Sequence, residues 1–231
     1  MNLAYFLRER TRIIRLFYDL GQLPFEQRKQ DIEKGEGQWE PPPFDPDYDS
    51  PEPAYLEEWI DTEHARELVG MLSISLLSDS LKIYFNELEQ EIGIEFPRDK
   101  DRKTHFKQGF VEGYRQIIEH VMGDAYQTCT VRFDLIEQVV LARNDIAHND
   151  DIHSFHGSHN TRTLEKHPNP FFISDDANYD PNNTLPWRRL KIEISRERLM
   201  EAIEEVEKLA DWVQENDARI WQWRRGVPKD S

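Results

Sequence analysis

The residues best suited to chemistry are Arg143, Asn144 and His148, near the end of the segment VRFDLIEQVVLARNDIAHND at 131–150. A histidine side chain has an unperturbed pKa of about 6.5 and can take or give a proton at neutral pH. Arginine stays charged, holds two oxygens of an oxyanion at once, and stabilises negative charge that builds in a transition state. Asn144 stands four residues before His148, so the two side chains can lie together on a helix. The set suits proton transfer beside a stabilised anion. Whatever positions it must be the element on which it rides.

Residues 131–147 carry apolar side chains at helical spacing, which predicts a long helix over 130–147. At about 100° per residue, with Ile136 as zero, Val139, Val140, Ile146 and Ala147 all fall within about 80° of it. Arg143 falls at about -20°, in the middle of that stripe. A guanidinium on a buried stripe needs a partner or a task. Two readings stand at this point. In one, Arg143 forms a structural salt bridge to a carboxylate on a neighbouring helix, while Asn144, His148 and Asn149 make a polar C-cap. In the other, Arg143, Asn144 and His148 project to one working patch at the helix end.

The string Arg143-Asn144-Asp145-Ile146-Ala147-His148 resembles the motif of the HEPN superfamily. That motif is an arginine, usually followed by a polar residue such as asparagine, then a histidine after four to six intervening positions. Here four residues intervene and the first is Asn. The resemblance covers residues 60–150 and the helix expected at 196–223. It implies an all-α bundle with the motif closing a long core helix. It also implies an endoribonuclease that needs no metal and no cofactor. The RNA's own 2′-OH attacks the adjacent phosphate, leaving 2′,3′-cyclic phosphate and 5′-OH ends. His148 would move the proton, Arg143 would hold the phosphate, and Asn144 would orient His148 or donate to the phosphate. DNA, lacking the 2′-OH, would be inert.

The partners implied are RNA, a second copy of the chain whose Arg143–His148 pair faces the same cleft across a two-fold axis, and an antitoxin or regulatory protein. The role implied is that of a toxin or anti-phage effector. The alternative is a non-catalytic HEPN module that serves as a scaffold or a regulatory RNA- or protein-binding partner. One departure stands out. Some HEPN toxins carry a tyrosine two residues after the histidine, which a partner nucleotidyltransferase modifies; here that position is Asp150.

Other candidates are weaker. His153, His156, His159 and His167, with His148 and Asp150 or Asp151, offer metal-ligand chemistry, but their spacing is irregular. Solvated or RNA-contacting histidines are the favoured reading, and no metal site is assigned. Arg98, Lys100, Arg102, Lys103 and Lys107 form a basic cluster interrupted by Asp99 and Asp101. It would contact phosphates or merely begin a solvated helix. Trp221, Trp223, Arg224 and Arg225 would close a core or stack on bases.

Around these residues the pattern predicts an all-α helical bundle of about five helices. A helix over 3–20 ends at Gly21 and Pro24. Residues 54–91 make one helix, or two with a break near Gly70. Further helices cover 104–122, 130–147 and 196–223, the last capped by Ser195. LKIEI at 190–194 alternates like a short strand. Residues 31–53 read as an acidic, Pro-rich extended loop, and 149–188 as a long His/Asn/Pro-rich loop. The expected organisation is an N-terminal helix over 1–30, the acidic loop over 31–53 and the bundle over 54–231, as one domain.

The net charge of -16 opposes phosphate binding only on average. Residues 31–63 hold twelve carboxylates against Lys34, and residues 193–217 hold nine against Arg196, Arg198 and Lys208. Those stretches together carry -17, so the remainder is +1 and leaves room for a basic cleft. The single cysteine, Cys129, excludes an intramolecular disulfide and a cysteine zinc cluster. Charges inside the N-terminal apolar stretch, and serines inside Val69–Leu81, argue against a signal peptide and a spanning helix. The expected location is cytoplasmic.

Overall fold

Helical apolar spacing runs through most of the sequence, and the backbone follows it. The computed structural model describes residues 2–43, 45, 50–96, 98–148, 157–174 and 191–226. Among these the chain is all-α, with eight helices: α1 Leu3–Lys34, α2 Leu56–Ile92, α3 Asp99–His105, α4 Phe110–Met122, α5 Phe133–Ala147, α6 Thr161–Lys166, α7 Arg196–Glu215 and α8 Asp217–Gly226.

The count exceeds the expected five because two helices are split and one is new. The helix expected over 104–122 breaks at Gly109, which has φ 138°, into α3 and α4. The helix expected over 196–223 breaks at Asn216, whose side-chain amide donates to the Trp212 carbonyl at 2.8 Å and so competes with the helical ladder. Helix α6 lies inside the stretch read as a loop. LKIEI forms no ladder among the described residues: Lys191 makes an isolated bridge to Ser158, while Ile192 and Ile194 are buried.

α1 runs on through Gly21 and Pro24 to a C-cap at Gly35. Packing overrides the local stop signal. Gln22 donates to the Arg66 carbonyl at 3.1 Å and Arg28 to Thr62 at 3.0 Å, so α2 holds both sides of the proline. The acidic stretch therefore begins inside a helix, and part of it docks. Ile32 is buried, Trp39 lies beneath the Arg28 guanidinium at 4.9 Å, and Tyr55 meets Trp39 edge-on.

α2 is the central element. Ile74, Leu77, Leu81 and Phe85 have no exposed surface. α2 does not break at Gly70, which faces Ile194; a β-carbon there would stand 3.0 Å from the Ile194 carbonyl oxygen. α1 lies antiparallel along α2, since Arg10 meets Ser80 and Arg28 meets Thr62. α5 and α7 cover other sides through Ile136, Val139, Leu199, Ile203 and Val206. α2 is long and apolar enough to cross a bilayer by length and composition, but 61% of that window is buried in this fold. One side of the α1–α2 pair is left open. Phe6, Ile13, Phe17 and Leu20 of α1, and Leu68, Leu72, Leu76 and Ile83 of α2, are about half exposed.

The α1–α2 contact is clasped by Glu63, which takes Lys29 at 2.8 Å and also pairs with Arg66. Burial pushes the Glu63 carboxyl up, but the hydrogen bonds and charges of Arg66 and Lys29 outweigh it and hold it at about 2, against an ordinary 4.5. A lowered folded value means stability that is present above about 4.5 and lost as pH falls toward about 2. Melting temperatures at stepped pH should fall across that window, and Glu63→Gln should flatten the fall. Equal slopes for variant and parent would remove Glu63 from the account.

Candidate functional site

α5 starts where the Arg132 amide donates to Glu205 of α7 at 2.6 Å. Leu135, Ile136, Val139 and Ala142 then lose all exposed surface. The buried arc is broader than the expected stripe and turned away from it, because it takes in Gln138 and Asp145. Arg143 is only half-buried, at the margin, and Ala147 is exposed. The expectation that Arg143 sits in the middle of a buried stripe is therefore corrected. The physical reason is that residues 157–174 fold back over the other side of α5. Phe171 N–H donates to Gln138 Oε1 at 2.7 Å, Phe172 is fully buried, and a β-carbon on Gly157 would stand 2.9 Å from Ile146.

The charged residue buried in the motif is Asp145. Its carboxylate meets His159 Nδ1 at 3.0 Å, and the two side chains are 1% and 2% exposed. His159 Nε2 faces the Phe172 carbonyl oxygen at 2.9 Å. A carbonyl only accepts, so a ring N–H at Nε2 donates to it, while Nδ1 faces the carboxylate. Each group has a polar partner, which makes their burial together tolerable. Asn160 completes the set: its side-chain and backbone amides donate to Asp145, and its side-chain oxygen caps α6 by accepting from Thr163 N–H at 2.9 Å. Sequence reading missed Asp145 because it looked only at the face with Arg143. Spacing offered no separate signal, because Asp145 lies about 180° from Ile136, on the side that also carries Asp134 and would read as solvated.

Arg143 leans from α5 onto α2. Its Nε stands 3.7 Å from Asp79 Oδ1, and its Nη1 reaches Asn144 Oδ1 at 3.4 Å. This matches the salt-bridge reading in part, although the contact is long and Asp79 is 51% exposed. Lys82 approaches the same Asp79 oxygen at 3.7 Å, so two cations share one carboxylate. Lys82 is a site candidate that the sequence did not single out. His148 is exposed at the C-cap, its amide donating to the Asn144 carbonyl at 3.0 Å. His148 stands five positions after Arg143, about 140° around the helix. Within one chain the two side chains flank Asn144 rather than converge.

The α3 cluster is placed elsewhere. Arg102 is paired with Glu89 and stands 5.0 Å over the Phe106 ring, which makes it a packing residue. Glu89 lies ten residues beyond Asp79 on α2, about 15 Å along the axis. Arg98 pairs with Asp101 at 3.2 Å, while Lys100, Lys103 and Lys107 are exposed. The structure does not bring these five residues to Arg143. Of the loop histidines, His159 serves Asp145 and His167 faces Glu137 at 3.2 Å. His153, His156, Asn149, Asp150 and Asp151 lie outside the described residues. In the tail, Trp223 packs against His120 at 4.9 Å, whereas Trp221 is exposed. Compared with protein-family models, curated proteins and solved structures, the chain matches none.

Removing either member of the Asp145–His159 pair strands the other away from water. Asp145→Ala and His159→Ala should each cost about 3–5 kcal/mol of stability in chemical denaturation. A loss below about 1 kcal/mol would show that the pair does not hold residues 157–174 on α5.

Proposed function

We propose that the protein is a metal-independent endoribonuclease of the HEPN type, with Arg143, His148 and Asn144 at its site and two copies of the chain needed to complete it. The observation that carries this reading is the state of Arg143. Its guanidinium rests at the margin of the core; among the described residues it meets a half-exposed carboxylate, Asp79, at 3.7 Å and the Asn144 side-chain oxygen at 3.4 Å. An ion pair of that length and exposure contributes about 0–1 kcal/mol and is readily exchanged for a phosphate. The exposed imidazole of His148 closes the same helix. Because the two side chains diverge around α5, a phosphate held by one chain's arginine is best served by another chain's histidine. Lys82 adds a second cation beside Asp79, which suits a phosphate more than it suits a lone salt bridge.

In this mechanism one imidazole takes the proton from the RNA 2′-OH as that oxygen attacks the adjacent phosphorus. The 5′ oxygen leaves with a proton given by a protonated imidazole, and the products are a 2′,3′-cyclic phosphate and a 5′-OH. Arg143 balances the charge on the non-bridging oxygens as the fifth bond forms. A cytoplasmic toxin or anti-phage effector, restrained by an antitoxin or regulatory partner, is the biological role that goes with this chemistry. The second reading is a non-catalytic HEPN module acting as a scaffold, favoured by the fact that Arg143 already has an intrachain partner in Asp79.

Cleavage of a labelled RNA should survive EDTA. His148→Ala should slow it by about 10²–10⁴-fold and Arg143→Ala by about 10²–10³-fold. Arg143→Lys should rescue little, since an ammonium cannot make the bidentate contact. Lys82→Ala should weaken RNA binding and reduce its salt dependence by about one phosphate contact. Cleavage that requires magnesium, or that persists when both Arg143 and His148 are replaced, would overturn the assignment.

A further inference from the structure

The open side of the α1–α2 pair is unexplained by the monomer. Eight large apolar side chains on it are about half exposed. Aliphatic and aromatic side chains of this size each offer on the order of 100–200 Å² when free, so the face leaves roughly 400–800 Å² of apolar surface. The upper end of that range matches the ~800 Å² per partner of a standard interface and exceeds what monomers usually leave in water. On α2 the residues recur as 68, 72, 76 and 83, one stripe along the helix, and Asp79 lies at its edge, where it meets Arg143 of α5. The α1 residues stand at matching heights because the two helices are antiparallel, with Arg10 against Ser80.

We propose that this face is where a second copy of the chain packs, α1–α2 on α1–α2, forming a four-helix layer about a two-fold axis. The choice of a second copy rests on the page in two ways. The area fits a stable dimer, and an antiparallel pair of like stripes is self-complementary when turned over on itself. The charges beside the apolar residues are mixed in sign, Asp79 standing near Lys82 and Arg143 and Arg10 against Ser80, and the bulk of the face is apolar, which suits a like apolar face more than a strongly charged partner. An anionic bilayer is a poor match as well. The neighbouring arginines of α1 are committed to carboxylates, Arg8 to Asp211, Arg12 to Glu9 and Arg15 to Glu207.

The direction of the axis rests on the ribonuclease reading. An axis crossing the helices at Leu76 puts both Asp79–Arg143 pairs on one border of the interface, about 9 Å apart along α2. Each Arg143 then lies beside the other copy's site. An axis running along the helices would instead place Leu76 over Ile13 of the second copy and separate the two arginines by the width of the layer.

The test uses the full chain with Cys129→Ser as background. Leu76→Cys should oxidise to a covalent dimer with itself, and the parent should have twice the chain mass in solution at micromolar concentration. Leu72→Glu with Leu76→Glu, at positions already exposed in the monomer, should keep its helical circular dichroism and halve the mass. A monomeric parent would overturn the inference. So would a dimer that survives the double glutamate change, a crosslink that forms only when Ile13→Cys is combined with Leu76→Cys, or binding to anionic vesicles by a chain that stays monomeric. A dimer with these properties that fails to cut RNA would support the interface while removing the ribonuclease reading, so the two failures are distinguishable.

Discussion

A carboxylate taken out of water must be met by a partner, and the arrangement around α5 depends on how Asp145 meets that requirement. His159 and Asn160 reach it from residues 157–160, and that contact anchors the stretch that continues through α6 to Phe172. The same stretch covers Gln138 and Ile146. Once this side of α5 is closed from within the chain, Arg143, Asn144 and His148 are left on the other side, at the surface. The motif is thus divided by one buried group into a half that folds the protein and a half that is available to a ligand.

What lies beside the available half is unusual for a monomer. α2 is buried on most of its circumference, and its open stripe, continued onto α1, is apolar. Arg143 meets Asp79 at the border of that stripe. A polar site at the edge of an apolar face is the arrangement expected where two chains share a site, since apolar burial supplies the association and the border supplies the chemistry. The weak hold of Asp79 on Arg143 fits the same picture, because a guanidinium tied up by a short bidentate pair would not be released to a phosphate without substantial cost.

Much of this was legible in the sequence. The all-α class followed from helical spacing of apolar residues, and the motif helix was placed within a few residues of α5. The stop at Gly21 and Pro24 was misread because local propensity was overridden by Gln22 and Arg28 bonding across to α2. The splits at Gly109 and Asn216 depended on a backbone conformation and a side-chain competition that spacing does not report. The core role of residues 157–174 was hidden by their composition. A loop rich in His, Asn and Pro looks solvated until one knows that Asp145 needs a histidine. Arg143, Asn144 and His148 stand out as candidates by type and string, but Lys82 and Asp79 do not, since they come from a helix about sixty residues away in sequence and share only a surface with α5.

The central claim is that RNA is cut by its own 2′-OH at the Arg143–His148 site. It is tested most directly with the purified chain in EDTA, given a labelled RNA and, in parallel, the same sequence fully 2′-O-methylated. The account predicts fragments with cyclic phosphate ends from the first and none from the second, with both strands bound comparably. Cutting of the methylated strand, or 5′-phosphate ends on the fragments, would mean that the nucleophile is not the 2′-OH and that the chemistry assigned to Arg143 and His148 is wrong.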